Sequence, residues 1–157
     1  MRKLANGWHV PEGDTKMTRH IETDKSPSLA EYEQKQRKTI LEHIPQKNTF
    51  VDVGANVGVW SITLQQHFKH VVSYEPSKRN VKCLENNVQG KTEIRNTALS
   101  DFNGESQFHD EIKNCGNSKL WAESSQTGLY NVPIRKLDDE NIENISLIKM
   151  DVQGNEW

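Results

Sequence analysis

Cysteine is scarce in this sequence: 2 among 157 residues, Cys83 and Cys115. They are too few and too far apart to hold a zinc set or staple a disulfide framework, which points to a reducing compartment, the cytoplasm. Cationic excess is missing too. The 20 Lys and Arg stand against 22 Asp and Glu, for a net charge of -2 and a pI near 6.3. No stretch concentrates the basic residues, so neither nucleic acid nor an anionic membrane surface is an expected partner. No apolar run approaches the length of a membrane span, and the opening MRKLANGWHV has no signal-like apolar core. Even hydrophobic residues are few, 33% beside 27% charged, which implies a core that is small or incomplete for the chain's length. That length still suits one domain.

What is present centres on Phe50 to Gly58, FVDVGANVG. An apolar β-branched run stops at Gly54, and a helical pattern follows from Val57 to Phe68, so the stretch reads as strand, tight turn and helix. Gly54 and Gly58 let the backbone bend and approach a ligand, toward which the helix aims its first amides. Asp52 stands at the carboxyl end of the strand, where ligands bind in open α/β sheets. The dinucleotide fingerprint G-x-G-x-x-G is not matched, because Asn56 occupies the place of the second glycine. A second strand, His70 to Glu75, ends on an acid, and Pro76 with Ser77 opens the next helix. Glu75 follows Gly54 at the spacing of an acid that accepts hydrogen bonds from ribose hydroxyls.

Elsewhere the pattern is thinner. Residues 1–25 are read as an irregular arm, with Trp8 pinning it to the domain surface, and 26–157 as the domain proper. Ser26 to Pro45 reads as one helix, with Ser28 and Glu31 at capping-box spacing. A third strand spans Thr92 to Asn96. Asn103-Gly104 marks a hairpin whose Ser106 to His109 arm returns antiparallel, and His109 is expected at the surface. Residues 114–118 read as a mobile loop and Leu129 to Leu137 as extended. Trp121 either lines a substrate pocket or folds this region back onto the sheet. The last strand, Ile145 to Met150, runs into Asp151.

Taken in order, FVDVGANVG, VVSYEP, TALSDFNGE, NCGNSKL and SLIKMDVQGNEW resemble class I S-adenosylmethionine-dependent methyltransferases, and within them the FkbM-type branch. The resemblance spans Pro45 to Trp157. It implies an α/β fold, a Rossmann-like doubly wound, mostly parallel sheet with an inserted β-hairpin, and S-adenosyl-L-methionine as cofactor. By the same analogy Asp52, Gly54, Asn56 and Gly58 hold the methionine portion, Glu75 the ribose, and Asn96, Ala98 and Leu99 the adenine, with Ala55 and Pro76 completing the set. Asp151 is placed beside the transferable methyl group as base or acceptor orienter, assisted by Glu156. The implied reaction is O-methylation of a small hydroxylated or saccharide acceptor. Two departures stand out: Gln153 replaces a usual Glu, and the family's domain continues where this sequence stops. The resemblance therefore also implies a missing C-terminal half of the sheet and an exposed fourth-strand edge open to oligomer pairing. Two other readings remain open: a non-catalytic cofactor-binding module, and an NAD-dependent oxidoreductase, which the fingerprint mismatch disfavours.

Overall fold

The computed structural model describes residues 1–120, 128–154 and 156. Its first 25 residues are not irregular. Arg2–Lys3 (β1) and His9–Val10 (β2) pair antiparallel, and Lys16–Ile21 forms a short helix, α1. Trp8 is fully buried rather than laid on the surface, and its indole N–H donates to Asp24 Oδ2 at 3.2 Å. With Val10, Met17 and Ile21 it joins the cluster formed by Ala55, Val57, Val59, Leu84 and Val88. Isolated apolar residues in a polar segment carry no periodicity, which is why this packing was not visible in the sequence.

The expected helix from Ser26 is broken. Pro27–Leu29 is a single 3-10 turn, and α2 begins only at Gln34, running to His43. Glu33 between them is left-handed, φ 56°, which ends the first segment and redirects the chain, so Ser28 and Glu31 form no capping box.

Thr49–Val53 (β3), Val59–Leu64 (α3), His70–Tyr74 (β4), Lys78–Val88 (α4) and Glu93–Arg95 (β5) follow as strand and helix in alternation. The helix α4 starts on Ser77, whose hydroxyl accepts the Asn80 amide at 3.2 Å, an N-cap of the usual kind. Next come Ala98–Leu99 (β6), Gly104–His109 (β7), Lys119–Leu120 (β8), Leu129–Arg135 (β9) and Ile145–Met150 (β10).

Among the described residues β10, β3, β4 and β5 form a parallel sheet in that order, as the doubly wound reading requires. Alternation sorts its faces. Phe50 packs with Leu64, Phe68 and Val71 under α3, and Val51, Val53, Val72 and Tyr74 meet Leu99 on the other side. β10 lies at the edge of this sheet, with Ile148 and Met150 more than 40% exposed.

The expected hairpin is larger than a hairpin. A second sheet has the order β6, β9, β7, β8, so β9 lies between the strands that Asn103-Gly104 was expected to join. β6 is two residues long and runs parallel to β9, and Phe108, Leu120, Val132 and Ile134 form this sheet's own core. His109 is buried there, 9% exposed, not a surface residue. Residues 115–117 make a 3-10 turn with Cys115 buried.

Candidate functional site

A cavity of about 400 Å³ opens at the carboxyl ends of β3 and β4, a size suited to a small organic ligand. Residues 53–56, 74–76, 97–99 and 114–120 line it, with Lys149, residues 151–153 and a strip from the N-terminal segment. Another hollow of about 460 Å³ lies at the opposite end of the sheet, among Asn48, Lys69, His70 and Glu143. It contains none of the residues that the sequence marks.

Glu75 is the most heavily determined side chain of the cavity. It is 4% exposed. One carboxylate oxygen accepts the Asn56 amide at 2.7 Å, and the other accepts the Ser77 amide at 2.9 Å and the Asn80 side-chain amide at 3.3 Å. Burial pushes its pKa up to about 7, while the Ser77 and Asn56 amides pull the other way. A carboxylate has about four lone-pair sites. Among the described residues three are engaged, which leaves one on the oxygen facing Asn56.

Asp52 does not face this cavity. It is fully buried on the α3 side of the sheet, where Ser61 Oγ donates to Oδ2 at 2.6 Å and Lys149 Nζ stands 3.1 Å from Oδ1. The pleat decides this: Asp52 shares a face with Phe50, opposite Val51 and Val53. Its charge is matched by Lys149, its register partner on β10. The ammonium also donates to the Gly54 carbonyl at 2.8 Å, so it clamps the turn.

The two glycines serve packing as much as approach. A Cβ on Gly54 (φ 74°) would lie 2.0 Å from the Asp151 carbonyl oxygen, and one on Gly58 (φ 93°) would lie 2.5 Å from Leu84 Cδ1. Gly54 and Ala55 line the cavity, whereas Gly58 sits against α4. Asn56 takes a left-handed conformation, φ 53°, and its Oδ1 accepts the Cys115 thiol at 3.1 Å. Burial, and then the Asp14 carboxylate, holds that thiol far above its ordinary pKa, so it remains a donor.

Pro76, Ala98 and Leu99 line the cavity as expected. Asn96 braces it from outside, its side-chain amide donating to the carbonyls of Glu75 and Pro76 at 2.8 and 3.0 Å. Asp151 lines the far end and accepts the Gln153 side-chain amide at 2.7 Å. Glu156 is turned away: its carboxylate accepts the amides of Val152 and Gly154, which lowers its pKa. It staples the turn after β10. Trp121 lies outside the described residues. Among those described, no group of His, Cys, Asp and Glu is arranged to hold a metal ion, and no helix is long and apolar enough to cross a membrane.

Several cavity residues carry no sequence signal of their own. Lys149 is the exception in hindsight, a lone cation in the apolar run ISLIKM. Tyr32 and Glu33 fall where the sequence reads one continuous helix, which hides the left-handed turn that sets them, and Cys115 lies in a segment without periodicity.

Comparison with known proteins adds a family. Residues 52–157 match the model described as the methyltransferase FkbM domain. No curated protein matches. A crystal structure described as a candidate RNA methyltransferase, PH1948 from Pyrococcus horikoshii, superposes with a TM-score of 0.45 at 20% identity, covering 62% of this chain and 50% of that one. This chain thus spans about half the length of that relative.

Proposed function

The chain belongs to the FkbM methyltransferase family, and from that premise we propose that it uses S-adenosyl-L-methionine to methylate a hydroxyl of a small acceptor, a saccharide being the favoured class. The observation that carries the cofactor reading is Glu75. A buried carboxylate at the tip of the second parallel strand, with a lone pair still available among the described contacts, is suited as the anion to accept a ribose hydroxyl. The fit extends along the cavity: Ala98 and Leu99 offer an apolar floor for a purine, and Gly54 to Asn56 offer close backbone approach. Asp52 would act indirectly, by holding Lys149 against the Gly54 carbonyl.

When bound, the cofactor supplies an already activated methyl group, so this chain's own residues need to position, desolvate and move a proton. Asp151 is the acceptor-side candidate. Its carboxylate lies at the cavity end remote from β4 and would take the acceptor's hydroxyl proton. Gln153 orients it, and Glu156 fixes the turn that carries both. Asp151→Asn should lower turnover about 100-fold or more with S-adenosylhomocysteine binding retained, once a radiolabelled methyl-transfer screen has supplied an acceptor. Full turnover in that variant refutes the role. Calorimetric titration separates the cofactor classes: S-adenosylhomocysteine should bind and NAD should not, and the reverse overturns the reading.

A further inference from the structure

One wall of the cavity comes from outside the family-matched residues 52–157. Lys16, Met17 and His20 of α1, with Tyr32 and Glu33 of the turn before α2, contribute it. We propose that this strip is the acceptor-recognition wall and that it takes a neutral polyhydroxylated ring, with Glu33 receiving the ring's hydroxyls and Tyr32 with His20 forming the platform. The inference names residues for the acceptor proposed above and rests on that reading for the identity of the reaction.

Glu33 is the first reason. It holds φ 56°, a left-handed conformation that costs a residue with a Cβ about 1–2 kcal/mol. It stands at the N-cap of α2 and makes no capping hydrogen bond. Its carboxylate reaches instead to Trp60 Nε1, which donates to Oε2 at 2.7 Å, and Oε1 has no partner among the described residues. Glycine would suit this backbone better and would cap as well. Local strain that projects an acceptor-only group into a cavity is the kind of outlier from which a binding role is inferred.

The second reason is the platform. The rings of His20 and Tyr32 lie 4.7 Å apart at 40°, with Tyr32 half-buried and His20 exposed. An aromatic face beside carboxylates matches a pyranose, which offers an apolar C–H face and a polar edge. The Tyr32 hydroxyl is pushed up in pKa by burial and then by Glu33 and Asp151, which places this platform in the field of the same Asp151 that would take the acceptor's proton.

The third reason is rigidity. Arg37 is 3% exposed and donates to the carbonyls of Tyr32 and Ala30, with its guanidinium 5.8 Å from the centre of the Trp60 ring. Asp24 accepts both the Trp8 indole N–H and the Glu31 amide. A wall held this way is organised before its ligand arrives, which lowers the cost of binding. Charge selects the ligand. Lys149 is committed to Asp52, and Glu33 and Asp151 set carboxylates against Lys16 and Lys119, which also line the cavity, so the acceptor side has no cationic excess to select an anion.

Saturation-transfer NMR on the full chain, with and without S-adenosylhomocysteine, tests this against neutral methyl glycosides, their phosphorylated counterparts and a short RNA. We expect transfer to the ring protons of at least one neutral glycoside, weakened about tenfold or more in Glu33→Gly and Glu33→Gln by loss of a charged hydrogen bond. Glu33→Gly relieves the backbone by about as much as the lost Trp60 indole hydrogen bond costs, so its melting temperature should stay near the parent's and its S-adenosylhomocysteine affinity should match that of the parent. No glycoside binding, binding unchanged in both variants, or preference for the phosphorylated sugars or RNA overturns the proposal. Failure of S-adenosylhomocysteine to bind would sink the cofactor reading instead, and the glycoside result on the unloaded protein would still decide the wall.

Discussion

Glu75→Gln separates a structural acid from one that grips a nucleoside. The raised pKa is a stability statement. A carboxyl at about 7 in the fold, against an ordinary 4.5, contributes stability that is complete below the lower value and lost as pH rises through the higher one. The difference of about 2.5 units corresponds to about 3 kcal/mol. The amide removes that cost at pH 8. It has one acceptor oxygen instead of two, however, so either the Asn56 or the Ser77 amide loses its partner, at about 1–3 kcal/mol. Stability at pH 8 should therefore change little, and its decline between pH 5 and 8 should flatten. Binding should not be spared. A ribose hydroxyl donates better to the anion, so S-adenosylhomocysteine should bind the parent up to about tenfold more weakly at pH 6 than at pH 8. In Glu75→Gln affinity should fall about 10- to 100-fold, as for loss of a charged hydrogen bond, and the part of the pH dependence that Glu75 carries should disappear. Calorimetry at the two pH values reads both effects. A Kd indifferent to pH in the parent, or unchanged in the variant, refutes the assignment.

Three further outcomes follow from the packing. Lys149→Met strands the buried Asp52 carboxylate and should cost about 3 kcal/mol in urea denaturation, with Asp52→Asn restoring part of the loss in the double variant. Gly54→Ala places a Cβ 2.0 Å from the Asp151 carbonyl oxygen, so thermal unfolding should fall well below that of Gly90→Ala, whose φ of 76° in open space costs only about 1–2 kcal/mol. Trp8→Ala should lose about 3–5 kcal/mol, a size that distinguishes a core residue from a surface pin.

The parallel sheet was legible because β3, β4 and β10 are short, largely apolar runs that each stop at a turn or an acid, a signal that survives without context. The place of Glu75 at the tip of β4, lining the cavity, was legible by spacing alone. Asp52 was misread for a physical reason: sequence places a residue at a strand tip, but only the pleat says which face it takes, and the face belongs to Ser61 and Lys149. Gly58 was misread similarly, since its freedom accommodates Leu84. The second sheet was hidden because β6 and β9 pair across more than thirty residues. The N-terminal wall escaped because Tyr32 and Glu33 are set by a left-handed turn and by Arg37, neither of which has a periodic signature.

The central claim is that the hollow at the tips of β3 and β4 receives an adenosyl nucleoside, and amide NMR during titration with S-adenosylhomocysteine tests it most directly. The account predicts saturable shifts at Gly54, Asn56, Ser77 and Leu99, with the rest of the sheet quiet. Saturation with those four amides unmoved, or no response at all, contradicts it.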